Sequence, residues 1–410
     1  MRRSKDNESF NLRSFVGRKK KKKTGRRTST STWLLLLVIL MVAFGVAFGK
    51  SLITPSVSAL FILGDSSVDC GDNTFFYPFI RQNLSFYPCD GSQTRLLPNL
   101  LEFASDVSYN ANSLGDTLLL MGAAEKMGLP EIPSFYNQNG TIEGLLSGLN
   151  FGSSPATIMN PGSMGHQSLN QQLRQAFETI QMLQLQLGQD RAREVIKSSI
   201  FYLSFGKDDY IELFLPDFSS VRRKYGRQGF AHILVNQMIR VVKDLYNANV
   251  RKIICMGIGP LGCAPRTLWE SYNSTAAAGG GDCVDDINEH VIKYNTMLSR
   301  DLMDLNLELP DAQIIFCDLY KGMMEIISNP FRYGFQDVKS ACCGLGRYGG
   351  MVGCLSKEMA CEEASTHVWW DFYNPTQAVN SLLADFAWLD QPLVDICLPI
   401  SISKLASMSA

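Results

Sequence analysis

The sequence predicts a parallel α/β domain, and three observations carry that prediction. Short apolar runs rich in β-forming residues recur along the chain, longer stretches with helical periodicity separate them, and a polar or glycine-rich turn follows each of the first three runs. In chain order the strands fall at residues 60–63, 200–205, 252–256 and 313–316. Between them, residues 168–187 space Leu169, Leu173, Phe177, Ile180, Leu183 and Leu187 three or four apart, the stripe of an amphipathic helix. Residues 230–246 and 284–305 behave in the same way. The turns are Gly64-Asp-Ser-Ser67, Gly206-Lys-Asp-Asp209 and the stretch from Gly257 to Gly262. Ligands of open α/β sheets bind beyond the carboxyl ends of the strands, so the three turns are expected to meet at one crevice.

Composition bounds the remainder. The 410 residues are 46% hydrophobic, enough for a substantial core and incompatible with disorder throughout. A formal net charge of −1 conceals an asymmetry: residues 1–32 carry twelve Lys/Arg against Asp6 and Glu8, which leaves −11 for the rest. Residues 33–49 (WLLLLVILMVAFGVAFG) are uncharged and apolar over 17 positions, a length that only just reaches across a bilayer. They read either as the h-region of a signal peptide, with small residues at Ala47 and Gly49 for cleavage, or as a signal anchor. The basic excess before them keeps 1–32, a disordered leader, in the cytosol and sends the chain beyond Lys50 into the secretory lumen. After cleavage the protein is expected in the extracellular space or cell wall; without cleavage it is expected to be a type II single-pass membrane protein. The basic run 18–23 therefore helps set topology and is no nucleic-acid site, since a membrane-directed segment comes directly after the leader. Residues 50–58 read as a linker, 59–400 as one domain and 401–410 as a tail.

Eleven cysteines, all beyond residue 49, suit an oxidising compartment. The cluster Cys342, Cys343, Cys354 and Cys361 reads as local disulfide loops rather than a zinc site, because no histidine precedes His367 there. The odd total leaves at least one free thiol, and Cys255 and Cys317, set in apolar runs, read as buried thiols. Sequons at Asn83, Asn139 and Asn273 are expected to be glycosylated in the lumen. Neither GxGxxG nor GxxxxGK[ST] occurs, and nothing calls for a metal or an organic cofactor.

Ser66, on a strand-to-helix turn, is the candidate nucleophile, although a serine that merely caps a helix is as common there and no GxSxG elbow is present. More specific is a set of collinear blocks: ALFILGDSSVDCGDN at 59–73, Leu149-Asn-Phe151, IFYLSFGKDDY at 200–210, Gly259-Pro-Leu-Gly-Cys263, Tyr333-Gly-Phe335 with Cys342-Cys-Gly344, and VWWDFYNPTQAVN at 368–380. Over about residues 59–395 the chain resembles the plant GDSL esterase/lipases of the SGNH hydrolase superfamily. The resemblance implies a flavodoxin-like three-layer α/β/α sandwich with a mainly parallel sheet and hydrolysis of lipid or other acyl esters. It also implies a serine nucleophile, a glycine and an asparagine serving the oxyanion, and a histidine base in a DxxH pattern.

Ser66 matches the nucleophile and Asp371 the orienting aspartate. The asparagine position is Asp208, whose ionised carboxylate offers no donor and repels a developing oxyanion; only a protonated carboxyl could donate there. The glycine position aligns with Asn99. At the histidine position stands Asn374, which can neither take the serine proton nor return it. His367, seven residues earlier, is the possible substitute base, and His166 a remoter one, whereas His232 and His290 lie in helical stretches. Residues 102–122 have no family counterpart and interrupt one helix, either as a genuine insertion or as a retained intron. Three expectations result: a family member whose crevice binds an acyl ester with weak or lost catalysis, an active hydrolase with a relocated base, or a non-catalytic cell-surface or structural glycoprotein. Protein partners are not legible.

Overall fold

A computed structural model describes residues 57–69, 126–129, 132–138, 140–159, 167–274, 283–355 and 357–409, all within one compact unit spanning Pro55–Ala410. The leader, the apolar segment 33–49, Asn83, Asn99, Asn139, His166 and the interruption at 102–122 lie outside the described residues.

The strands of the central sheet are β1 (Leu60–Gly64), β4 (Ile200–Ser204), β5 (Lys252–Met256), β6 (Gln313–Cys317) and β9 (Cys397–Leu398), hydrogen-bonded in that order. The first four are parallel, and β9 runs antiparallel to β6. Two residues each form β2 (Ala156–Thr157) and β3 (Gln167–Ser168), which pair with one another, as do β7 (Asp337–Ala341) and β8 (His367–Trp369). On the free side of β1, Leu149 and Phe151 bond to the backbone of Ile62.

Strand pleating sends alternate side chains to opposite faces, and the two cores follow that alternation. Phe61, Leu63, Phe201, Leu203, Ile253 and Phe316 enter one cluster, beneath α2 (Leu169–Leu187), α4 (Ser220–Asn247) and α6 (Asp285–Glu308). Leu60, Ile62, Ile200, Tyr202, Ile254 and Ile315 enter the other, beneath α7 (Leu319–Ser328), α8 (Gln377–Trp388) and α9 (Ile402–Ser407). This is a three-layer α/β/α arrangement. Each fully buried Leu, Ile or Phe contributes about 1.5–3 kcal/mol to it. Three shorter helices are α1 (Ile142–Ser147), α3 (Gln189–Ser198) and α5 (Pro265–Ser274).

The helix predicted at 168–187 begins after Ser168, whose hydroxyl accepts from Gln171 N while the Gln171 side chain accepts from Ser168 N, a complete capping box. α4 starts ten residues before the predicted stripe, because its first turns are polar and Gly226, at φ +62°, breaks the helical backbone inside it. Residues 401–410, read as a tail, instead carry α9, which is capped by Ser401 and buries Ile402, Leu405 and Ala406.

Four disulfides are described: Cys263–Cys283, Cys317–Cys397, Cys342–Cys361 and Cys343–Cys354. The last two are the local loops expected of that cluster. Cys317 is a correction: it is no free thiol, because the short β9 places Cys397 directly opposite it. Cys255 is the free cysteine among the described residues, and burial pushes its thiol well above the ordinary range. No helix among the described residues is long and apolar enough to cross a membrane.

Candidate active site

β1 delivers the chain to the carboxyl end of the sheet, where Asp65, Ser66 and Ser67 form a turn. Gly64 permits the close passage: a Cβ there would stand 2.3 Å from Val68 Cγ2 and 2.7 Å from Ser204 O. Asp65 is fully buried and organises two turns at once. Its Oδ1 accepts from Ser67 N (3.0 Å) and Ser67 Oγ (2.7 Å), and its Oδ2 from Lys207 N (2.9 Å) and Asp208 N (3.3 Å). Burial, then the charge of Asp208, raises the Asp65 carboxyl to about 6, with Lys207 and the Ser67 bonds pulling the other way.

The turn after β4 requires Gly206 at φ +107°, a backbone that side chains resist. It points two carboxylates in different directions. Asp209 is fully buried and accepts from Ile158 N (2.8 Å) and Met159 N (3.0 Å), and its burial raises it to about 8. This clamp presents the neighbouring Ala156 N–H to Asp208.

Asp208 meets the candidate nucleophile. Ser66 Oγ donates to Asp208 Oδ1 at 2.5 Å, while Ser66 N and Ala156 N both donate to Asp208 Oδ2 at 3.0 Å. Two backbone N–H groups converging on one oxygen beside a serine hydroxyl have the geometry an oxyanion needs. Here the chain's own carboxylate fills that position.

Across the crevice, Asp371 Oδ1 accepts from Asn374 N (2.8 Å) and Tyr373 N (3.0 Å), and Asp371 Oδ2 from Asn374 Nδ2 (2.9 Å). The Asn374 side chain is thus oriented by Asp371. Its other end, Oδ1, accepts from Lys207 Nζ at 2.7 Å. Disulfide-linked Cys342 and Cys343 support this loop from behind, donating through their backbone N–H groups to Trp369 O and Trp370 O.

Ser66, Asp208, Asp371 and Asn374 line one crevice, together with Phe372 and Tyr373. The turn after β5 does not reach it: Gly257, Ile258 and Gly259 line a second cavity, shared with Asp65, Lys207 and Asn374. His367 is not brought to the serine. It opens β8, where its Nδ1 faces Glu363 O (3.3 Å) and Thr366 Oγ1 (3.2 Å), and it lines neither space. His290, on α6, is likewise elsewhere, beside Asp286. Asn273 lies in the last turn of α5. Among the described residues no group of His, Cys, Asp and Glu is arranged to hold a metal.

Sequence reasoning missed three participants. Ala156 contributes only a backbone donor, which carries no side-chain signal. Asp65 and Lys207 adjoin singled-out residues, and Lys207 was legible as a cation inside an otherwise acidic turn.

The same ordering of serine turn, Asp208 turn and Asp371 loop coincides with a match to the GDSL-like lipase/acylhydrolase family over residues 60–387. The chain belongs to that family. Among its relatives, one GDSL esterase/lipase of Arabidopsis thaliana is 30% identical over 343 residues, 82% of this chain and 86% of that protein. A second from the same plant is 31% identical over 377 residues, 90% of this chain and 97% of that one. GDSL esterase/lipase 7 is 29% identical over 361 residues, covering 86% and 93%. This GDSL-family chain therefore carries the domain of a family of ester hydrolases.

Proposed function

We propose that this GDSL-family protein binds lipid or other acyl esters at the Ser66 crevice and hydrolyses them slowly or not at all. The observation that carries the reading is the placement of Asp208: one carboxylate holds the Ser66 hydroxyl and both converging N–H donors. An incoming ester carbonyl has to displace a negative charge from the position where its own negative charge must develop. Loss of a single neutral donor from such a site costs about 2.7–4 kcal/mol of transition-state stabilisation, and a carboxylate adds repulsion. Asn374 cannot serve as the base either, since its oxygen accepts from Lys207 and an amide neither takes up nor releases a proton near neutral pH. His367 is bonded within its own loop and lines neither space, which speaks against it as the relocated base.

We further infer entry into the secretory pathway, on the strength of the basic leader, the apolar segment 33–49 and the described disulfides. Cleavage would yield a secreted glycoprotein, and retention of 33–49 would tether it to the membrane.

The test is turnover of short-chain p-nitrophenyl esters by the purified protein beside Ser66→Ala. The expected rates lie close together and near background. Rapid wild-type turnover abolished by Ser66→Ala would sink the impaired reading, and a fluorophosphonate that labels Ser66 quickly would do the same.

A further inference from the structure

Among the described residues, Lys207 is the cation beside the crevice that ester hydrolysis leaves without a task. Its side chain is only 9% exposed. Its Nζ makes one hydrogen bond among the described residues, to Asn374 Oδ1, and no described carboxylate lies within ion-pair distance. Two of the three ammonium hydrogens are therefore without an acceptor there. A buried ammonium in that condition is costly, and a protein tolerates it chiefly where something else completes the pairing.

Asp65 does not complete it. Its two oxygens already receive four hydrogens, from Ser67 N, Ser67 Oγ, Lys207 N and Asp208 N. The hydroxyls nearby do not complete it either: Ser67 Oγ donates to Asp65 and Ser204 Oγ to Ser67, and among the described residues neither accepts from Lys207 Nζ. Among the described residues Lys207 is the only cation lining the cavity behind the crevice, and Phe205, Ile258, Met323, Trp369 and Leu383 supply much of its wall. Tyr373 and Asn374 line both this cavity and the Ser66 crevice.

We propose that this cavity is a subsite for a monocarboxylate with a short apolar tail, its carboxylate taking the two unused Lys207 hydrogens and its tail lying on the apolar wall. A carboxylate offers acceptors for both unused hydrogens, and one negative charge is the most the site favours because Asp65 lines the same cavity. A neutral ligand would leave the ammonium unpaired, and a dianion would add an uncompensated charge beside Asp65. The proposal rests on the ester-site reading for its choice of ligand, because the acid half of an acyl ester has this chemistry and would lie one wall away from Ser66.

Isothermal titration of the full chain with sodium butyrate and sodium hexanoate, and with butyramide as the uncharged counterpart, tests it. Saturable binding of the carboxylates is expected, with no saturable binding of butyramide. Lys207→Met should weaken it by at least about 30-fold, the usual consequence of removing one member of a buried charge pair. Lys207→Gln, which keeps a polar side chain but no charge, should show the same loss and serves if the methionine variant fails to fold. Ser66→Ala should bind butyrate as the wild type does. Carboxylate binding that survives both Lys207 variants, equal binding of butyramide, loss of binding in Ser66→Ala, or no saturable binding at all would overturn the subsite. Rapid ester turnover with intact Lys207-dependent binding would overturn the impaired-hydrolase reading alone.

Discussion

The two walls of the Ser66 crevice are built by different means, and in the reading proposed above each departs from a working hydrolase in its own way. On the sheet side, buried carboxylates draw backbone N–H groups together: Asp65 joins the turns after β1 and β4, and Asp209 pins residues 158–159. There the unusual residue, Asp208, has gained a contact with the nucleophile. On the other side the loop from Asp371 to Asn374 is backed by two disulfide loops, and its unusual residue keeps the link to Asp371 while turning its far end to Lys207. In the proposed reading one wall holds the serine too firmly, and the other presents Asn374 where a base is needed. If that reading holds, changing either wall alone leaves the other obstacle in place.

That contrast sets the largest expected effect. Asp208→Asn/Asn374→His should raise Ser66-dependent p-nitrophenyl ester turnover by roughly 10³-fold over the wild type, and the gain should exceed the product of the single exchanges, because base and oxyanion donors act as a unit. Adding Lys207→Ser should raise it further: an ammonium within hydrogen-bond reach of position 374 disfavours the imidazolium that a histidine base must become. Steady-state rates for the set decide the matter. Full activity from Asn374→His alone would show that Asp208 is no obstruction.

The disulfide-backed wall can be tested on its own. Cys343→Ala/Cys354→Ala removes a bridge spanning 11 residues, and the chain-entropy relation puts the loss of stability at about 3 kcal/mol. Cys354 also lines the crevice, so the loop bearing Asp371 should loosen while the Asp208–Ser66 contact persists. Denaturant melts give the first quantity, and hydrogen exchange at the amides of Ser66 and Asn374 gives the contrast. Equal loss of protection at both would contradict the separate construction of the walls.

How much of this was legible in the sequence obeys the same division. The four parallel strands were readable because burial on both faces makes the middle of each an apolar run, and Ser66, Asp208, Asp371 and Asn374 were found from collinear motifs and do meet at one crevice. β9 was not readable, because two residues carry no periodicity, and the misreading of Cys317 came from it. The α9 helix was lost in the same way: six residues are too few to display a stripe. Motif reasoning also showed that Asp208 lacks a donor, but not that it would reach back to the serine. That depends on Asp209 anchoring residues 158–159 so that the nearby Ala156 N–H reaches Asp208, contacts between carboxyls and backbone N–H groups far apart in the chain.

Asp209 therefore offers the subtlest test of the sheet-side wall. Its carboxyl is raised from 3.8 to about 8, so the folded protein holds a proton there that the unfolded chain releases at neutral pH. The stability this group contributes is full below about 4, the unfolded value, and is lost as pH rises through about 8. Asp65, raised to about 6, adds to the decline over the lower part of the same window. Melting temperature should accordingly fall between pH 5 and pH 8 in the wild type, and the fall should be shallower in Asp209→Asn, which is neutral throughout. The amide offers a single oxygen to the two N–H groups of Ile158 and Met159, so the variant should also lose about 1 kcal/mol at low pH, where the protonation difference no longer contributes. An unchanged slope would mean that Asp209 is ionised in the fold. In that case a second full charge would stand beside Asp208, and the N–H groups of residues 156–159 would be held as much by electrostatic attraction as by hydrogen-bond geometry.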